Sequence, residues 1–240
     1  MTPEAGRYVS RLVLMRHGQS VWNREKVFTG WSDIALSSQG KQEAEHAGQL
    51  LRQTGMTFDC CFSSTLKRAS ETAKTVLSAM SLDMLPVQQC WRLNERHYGA
   101  LEGMERWSAL KQFGFWPVLR TQIRFDGVPP LLHIDDARFP GNQSCYDTVE
   151  KNQLPRGESL KQTQERLLPY WQEVIKPELQ RGKCVLVVSH KNVLRTLIMK
   201  LDCLTERQVI KLKLATGRPL VYELDSALHT VRRYYADEVQ

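Results

Sequence analysis

Three short apolar runs constrain this chain more than any other feature: "RLVLM" beginning at Arg11, "FDCCFSS" at Phe58 and "KCVLVVS" at Lys183. Each is too short for a buried helix and is bounded by polar or glycine-containing segments, which predicts strands. Between them lie stretches with helical spacing. In "SSQGKQEAEHAGQLLRQTG", Ala44, Ala47, Leu50 and Leu51 share a face, and Gly55 follows its end. In "TLKRASETAKTVLSAM", Leu66, Ala69, Ala73, Val76, Leu77 and Met80 do the same. Strands alternating with amphipathic helices predict parallel βαβ units. Pro86 and Val87 open a further short strand, and "PLVYEL" and "TVRRYY" predict two closing ones. Ser159 and Gln162 have the spacing of a capping box. It starts a helix with Leu160, Leu167, Leu168, Trp171 and Ile175 on one face, and Pro169 is placed to bend it. "NVLRTLIMKL" predicts a helix facing inward through Val193, Leu194, Leu197, Ile198 and Leu201.

The region from about residue 91 to 155 breaks this rhythm. Its aromatic, glycine, proline and charged residues predict an irregular, partly helical insertion over one end of the sheet. The 240 residues fit one large domain or one α/β core with such an insertion. The formal charge of +7 favours anionic partners without choosing among them, and solubility alone is the bland account of it. The six cysteines form no Cys-x-x-Cys pair, and Cys60, Cys61 and Cys184 sit in apolar runs. They are expected to be reduced thiols of a cytoplasmic protein. The first ten residues carry no apolar signal segment, and no run is long enough to span a bilayer.

Two of the strands end in histidine: His17 after "RLVLM" and His190 after "CVLVVS". Ligands of open parallel sheets bind beyond the carboxyl ends of the strands. If the two strands are neighbours, the histidines meet. Arg16 precedes His17, Gly18 permits close backbone approach to a ligand, and Asn23 follows on the same loop. A neutral imidazole is a nucleophile toward phosphorus, and a guanidinium neutralises and orients phosphate oxygens. The plain alternative for His17 is a loop histidine bonded to backbone. Arg68 lies early in a helix just past a strand end, either facing an anion or solvated. Glu95, in "LNERHYG", either works as an acid and base or pairs with Arg92 or Arg96. No His-x-His or His-Glu-x-x-His spacing occurs, so no metal site is expected.

Across these residues, "LVLMRHGQSVWNREKVFTGWSDIALSSQG" resembles the histidine phosphatase superfamily, and in particular its cofactor-dependent phosphoglycerate mutases. "SSTLKRASET", "LNERHYGALEG", "RFPGN", "LPRGESL" and "GRPLVYELD" continue the likeness in order. It implies an α/β fold: a three-layer sandwich with a mostly parallel sheet flanked by helices, and the insertion over the active site. It implies one catalytic domain over residues 11–235, with an N-terminal tail at 1–10 and a C-terminal tail at 236–240. His17 is then the phosphorylated nucleophile and Glu95 the proton donor and acceptor. Arg16, Arg68, Asn23 and His190 hold the transferring group, and Thr29, Gly30 and Tyr98 line the pocket. Arg106 stands where the family usually has a substrate-reaching lysine. Arg96, Lys191 and Asn192 complete the expected substrate-binding set. The implied partner is a small phosphorylated carboxylic acid rather than nucleic acid or membrane. Priming by 2,3-bisphosphoglycerate is implied, with no metal, and a homodimer or homotetramer.

Two departures bear on the acceptor. Where the mutases carry an adjacent arginine pair, this chain has Gln122 and Ile123, flanked by Arg120 and Arg124. Where they read His-Gly-Asn-Ser, it reads His190, Lys191, Asn192 and Val193. The favoured reading of Lys191 is a charge that compensates for the missing arginines, the alternative a side chain in solvent. Mutase activity leads. A phosphohistidine-dependent phosphatase, a bisphosphoglycerate mutase or phosphatase with altered substrate, and a non-catalytic polyanion binder are the alternatives.

Overall fold

The computed structural model describes residues 9–238. The six strands are β1 (Ser10–Arg16), β2 (Cys60–Ser63), β3 (Val87–Gln89), β4 (Cys184–Ser189), β5 (Pro219–Leu224) and β6 (Thr230–Tyr235). They form one sheet in the order β3-β2-β4-β1-β5-β6. β3, β2, β4 and β1 pair in parallel, and β5 and β6 add antiparallel. The helices are α1 (Val21–Glu25), α2 (Ser38–Gln53), α3 (Lys67–Ala79), α4 (Arg106–Phe113), α5 (Phe115–Ile123), α6 (Leu160–Tyr170), α7 (Lys176–Gln180), α8 (Lys191–Leu201) and α9 (Glu206–Lys211).

The apolar runs are continuous because both faces of the central strands are covered. Leu12, Leu14, Phe62, Val185 and Val187 pack with Leu167, Val193, Leu194 and Leu197, from α6 and α8. The alternate residues, Val13, Met15, Cys61, Leu186 and Val188, pack with Ala44, Ala47, Leu51, Ala73 and Val76, from α2 and α3. Sheet and two helical layers make the expected sandwich. The Ser159–Gln162 capping box starts α6, and a π-helical turn at Trp171–Ile175 follows Pro169 before α7.

The insertion holds α4, α5 and several 3₁₀ turns, and one of its small cores packs Leu132, Phe139, Tyr146 and Leu154 against Trp31 of the loop before α2. Two boundaries differ from the expected tails. Ser10 is already in β1, paired with Leu224, and Ala236 is fully buried in a terminal 3₁₀ turn. The rest of the N-terminal tail, apart from Val9, lies outside the described residues, as do the last two residues. All six cysteines are free. No helix among the described residues is long and apolar enough to cross a membrane.

Candidate active site

The register of β1 against β4 sets Arg16 opposite Ser189, so the residues that follow, His17 and His190, leave the sheet side by side. The His17 N–H donates to the Ser189 carbonyl at 3.0 Å. The two imidazoles meet edge to face with centroids 4.9 Å apart. Both rings are buried. His17 Nδ1 lies 2.6 Å from the Gly18 carbonyl oxygen, which can only accept. The proton of the neutral ring is therefore on Nδ1, and Nε2 keeps its lone pair. Burial holds the His17 pKa well below the ordinary value, and the nearby Arg68 and Arg16 charges add to this, so the ring is neutral at pH 7.

His190 has the opposite tautomer. Its Nε2 is 2.8 Å from Ser64 Oγ. Ser64 Oγ has one proton, which goes to Asn94 Oδ1 at 2.8 Å, and it also accepts the Leu66 N–H. His190 Nε2 must then be the donor, and its Nδ1 is left buried without a protein partner. Burial, Arg68 and the neighbouring His17 hold the pKa of His190 down as well.

Cations surround this pair. Arg68, on the buried face of α3, is itself buried and donates to the carbonyls of Ser32 at 2.8 Å and Gly30 at 2.7 Å. Burial brings its pKa down to about 10, which leaves it charged. Arg16 Nη1 donates to the Leu214 carbonyl, while its buried Nε has no partner. Glu95 makes no ion pair with Arg92 or Arg96. Its Oε1 accepts the backbone N–H groups of Arg96 at 2.9 Å and Asn192 at 3.1 Å, which leaves Oε2 for other work. Asn192 Nδ2 donates to the Tyr98 hydroxyl. Asn23 caps α1 reciprocally with Ser20 through its Oδ1.

A cavity of about 180 Å³ collects most of the expected residues: Arg16, His17, Asn23, Thr29, Gly30, Arg68, Glu95, Tyr98, Lys191 and Asn192. A second cavity of about 370 Å³ shares Phe28, Tyr98, Lys191 and Asn192 with it and continues outward to Arg96, Gln122, Arg124 and Arg195. Two expectations change. Arg96 reaches only the outer cavity, and its guanidinium is tied to the carbonyls of Glu158, Thr121 and Gly127. Arg106 is exposed and lines an adjoining groove instead, with Trp22, Glu105 and Trp107. Gly18 is also required by the fold: a Cβ there would sit 2.1 Å from the Gly40 carbonyl of α2. Of the arginines flanking Gln122 and Ile123, Arg124 pairs with Asp126, and Arg120 lines an apolar groove outside the site.

The frame behind the site includes residues that sequence reading did not single out. Arg166 forms a buried ion pair with Glu158 at 2.6 Å and donates to the carbonyls of Trp91, Arg92, Asn94 and Glu95. Glu158 also accepts the His97 N–H, so the pair fixes the backbone on both sides of Glu95. Glu102 Oε1 accepts the N–H groups of Trp31 and Tyr98, which joins two loops of the site. Burial raises its pKa to about 8. The one signal for Arg166 is its position: it falls on the buried face of α6, three residues from Thr163 and six from Leu160.

The model of the histidine phosphatase superfamily (branch 1) matches residues 12–130 and 135–237. A 2,3-bisphosphoglycerate-dependent phosphoglycerate mutase 1 of Nitrosomonas europaea is 56% identical, over 94% of this chain and 96% of its own length. A 2,3-bisphosphoglycerate-dependent phosphoglycerate mutase of Hamiltonella defensa is 43% identical, over 95% of this chain and 91% of its own. Among solved structures, YhfR of Bacillus stearothermophilus matches with a TM-score of 0.71 at 24% identity, covering 92% of this chain and 94% of that one. It shares the fold. With the family model spanning nearly the whole chain and both histidines at adjacent strand ends, the chain belongs to branch 1 of the histidine phosphatase superfamily.

Proposed function

We propose that this chain is a 2,3-bisphosphoglycerate-dependent phosphoglycerate mutase, interconverting 2- and 3-phosphoglycerate through a phosphohistidine at His17. The observation that carries the chemistry is the tautomer of His17: Nδ1–H is committed to the Gly18 carbonyl, so the nucleophilic lone pair is on Nε2. The names of the two curated relatives support the substrate. His17 Nε2 attacks phosphorus, the bond to the ester oxygen breaks, and Glu95 gives that oxygen a proton. In the return transfer Glu95 takes the proton of the attacking hydroxyl and the N–P bond breaks. Arg16 and Arg68 neutralise the phosphoryl oxygens, held in place by carbonyls before any ligand arrives. His190 Nδ1 picks up a proton when the anion binds and donates it as a hydrogen bond, since Nε2–H is already given to Ser64.

The residues fit a phosphoryl donor: Arg16 Nε and His190 Nδ1 are buried donors or acceptors without protein partners beside His17. When bound, 2,3-bisphosphoglycerate supplies the group that first charges His17. The activity serves glycolysis and gluconeogenesis in the cytoplasm. A second reading, a hydrolase that passes the phosphoryl group from His17 to water, is favoured by Gln122 standing on the outer cavity where an arginine is usual. Incubation with 3-phosphoglycerate and catalytic 2,3-bisphosphoglycerate decides between them. The expected product is 2-phosphoglycerate, and phosphate release without it overturns the mutase reading. An acid-labile phosphoenzyme is expected in the wild type and absent in His17→Ala.

A further inference from the structure

The outer cavity carries a charge distribution that folding alone does not explain. Its walls include Arg96, Arg124, Lys191 and Arg195, and no carboxylate. Arg96 is bound to three carbonyls and Arg124 to Asp126. Arg195 is fixed in direction: Nε and Nη2 donate to the Leu212 carbonyl at 2.8 and 2.6 Å, and Nη1 to Asn192 Oδ1 at 3.3 Å. Lys191 differs from all three. It is half-buried, and among the described residues its ammonium has neither an ion pair nor a hydrogen bond.

Three local rules are broken at this lysine. It is the first residue of α8, an eleven-residue helix, where the positive end of the helix dipole disfavours a cation. Arg195 lies four residues on, the spacing at which like charges repel on a helix surface. Burial then removes much of the water that would screen the charge. Lys191 and Arg195 both have depressed pKa values; burial is the first cause for each, with cationic neighbours next for Lys191 and contributing for Arg195. The backbone at 191 has no positive φ that would have called for glycine. Local conflicts of this kind concentrate at functional sites.

We infer that Lys191 and Arg195 form the seat for the second anionic group of the substrate, placed on α8 instead of at positions 122 and 123. The inference rests on the phosphoglycerate reading of the site, and it names where that substrate's carboxylate, or a second phosphate, is held. The geometry favours it because Lys191 borders both cavities, so one ligand can have its phosphoryl group against His17 and its other anion between Lys191 and Arg195. Arg195 also joins the seat to the reacting end: it bonds Asn192, whose N–H holds Glu95 Oε1. The seat is under electrostatic strain until an anion fills it. Removing the Lys191 charge should then weaken binding without weakening the empty fold.

The test compares Lys191→Gln and Lys191→Arg with wild type, using the full chain. Affinities for 3-phosphoglycerate and for inorganic phosphate are measured by calorimetry, and thermal midpoints with and without 3-phosphoglycerate. Lys191→Gln is expected to weaken 3-phosphoglycerate roughly ten- to a hundredfold, the worth of one charge-assisted contact. Phosphate should lose several-fold less. The midpoint without ligand should hold or rise, the rise on adding 3-phosphoglycerate should shrink, and Lys191→Arg should restore most of the affinity. Equal losses for both ligands, or a 3-phosphoglycerate affinity within twofold of wild type, overturns the inference. So does a fall in the ligand-free midpoint that Lys191→Arg repairs. These readouts need no turnover. A failed mutase assay with a strong preference for 3-phosphoglycerate over phosphate would therefore sink the mutase reading and leave the seat standing.

Discussion

The inner and outer cavities share four residues, yet they hold their charges in different ways. In the inner cavity His17, Arg68 and Glu95 are each fixed by uncharged backbone. Gly18 sets the His17 tautomer, the carbonyls of Gly30 and Ser32 aim Arg68, and two N–H groups orient Glu95. Lys191, where the outer cavity meets the inner one, has no such partner and faces the like charges of Arg195 and Arg16. The difference follows from what each must do. Phosphoryl transfer needs donors already in place, because reorganisation during the reaction costs rate. Holding a distal anion needs charge more than angle. The inner cavity should therefore be sensitive to shape at constant charge, and the outer one to charge at constant shape.

Arg68→Lys is the strongest way to break that distinction. Lysine keeps the charge but cannot donate to two carbonyls as a planar fork. The expected loss in kcat is about a hundred- to a thousandfold, the usual cost of losing one preorganised donor. A variant that only raises KM, with kcat near wild type, would show that charge suffices in the inner cavity too.

That distinction was only partly legible in the sequence. The strands and the two flanking layers could be read because each apolar run and each helix face repeats at its own period, as with Val13 and Met15 against Ala44 and Ala47. The meeting of His17 and His190 could be read because both follow such runs. Backbone partners leave no such trace. Nothing in "LNERHYG" says that Glu95 is held by amide groups, one of them on a helix almost a hundred residues later. Gly18 carries a second reason of the same kind: a Cβ there would meet the Gly40 carbonyl, a contact created by packing α2 against the loop. Lys191 could be noticed only as a departure from a family pattern, and its meaning needed Arg195 and the cavity.

Acid sharpens the comparison, because the inner cavity depends on neutral rings. His17, His97 and His190 are buried with depressed pKa values, that of His97 brought by burial to about 3, while His46, His133 and His229 are exposed. As pH falls below the unfolded value near 6.5, the unfolded chain gains three protons that the folded one does not take. The stability these three lend is complete above that pH and is lost as pH falls. Glu102 opposes them. With a folded pKa of about 8 against 4.5 unfolded, its contribution is complete below pH 4.5 and is lost as pH rises toward 8. Between pH 6.5 and 4.5 the three histidines outweigh the one carboxyl, so the fold loses stability as pH falls. Urea midpoints at pH 6.5 and 5.5 should differ in that direction. A stability that stays flat or rises on acidification would mean that the histidines are charged in the folded protein.

The smallest effect is expected at Arg106, and it tests where the outer cavity ends. The residue begins α4, is exposed, and faces a groove that shares Gln122 with the outer cavity and Asn23, Val27 and Phe28 with the inner one. A charge in that position acts on the ligand through water, and salt at about 0.15 M screens such an interaction within roughly 8 Å. Arg106→Ala should therefore change KM for 3-phosphoglycerate by less than about threefold at physiological salt. The change should grow at low salt, since only the screening differs. A tenfold rise in KM that salt does not reduce would mean that α4 brings Arg106 into contact with the substrate. The seat would then be shared between α4 and α8, and charge alone would no longer describe it.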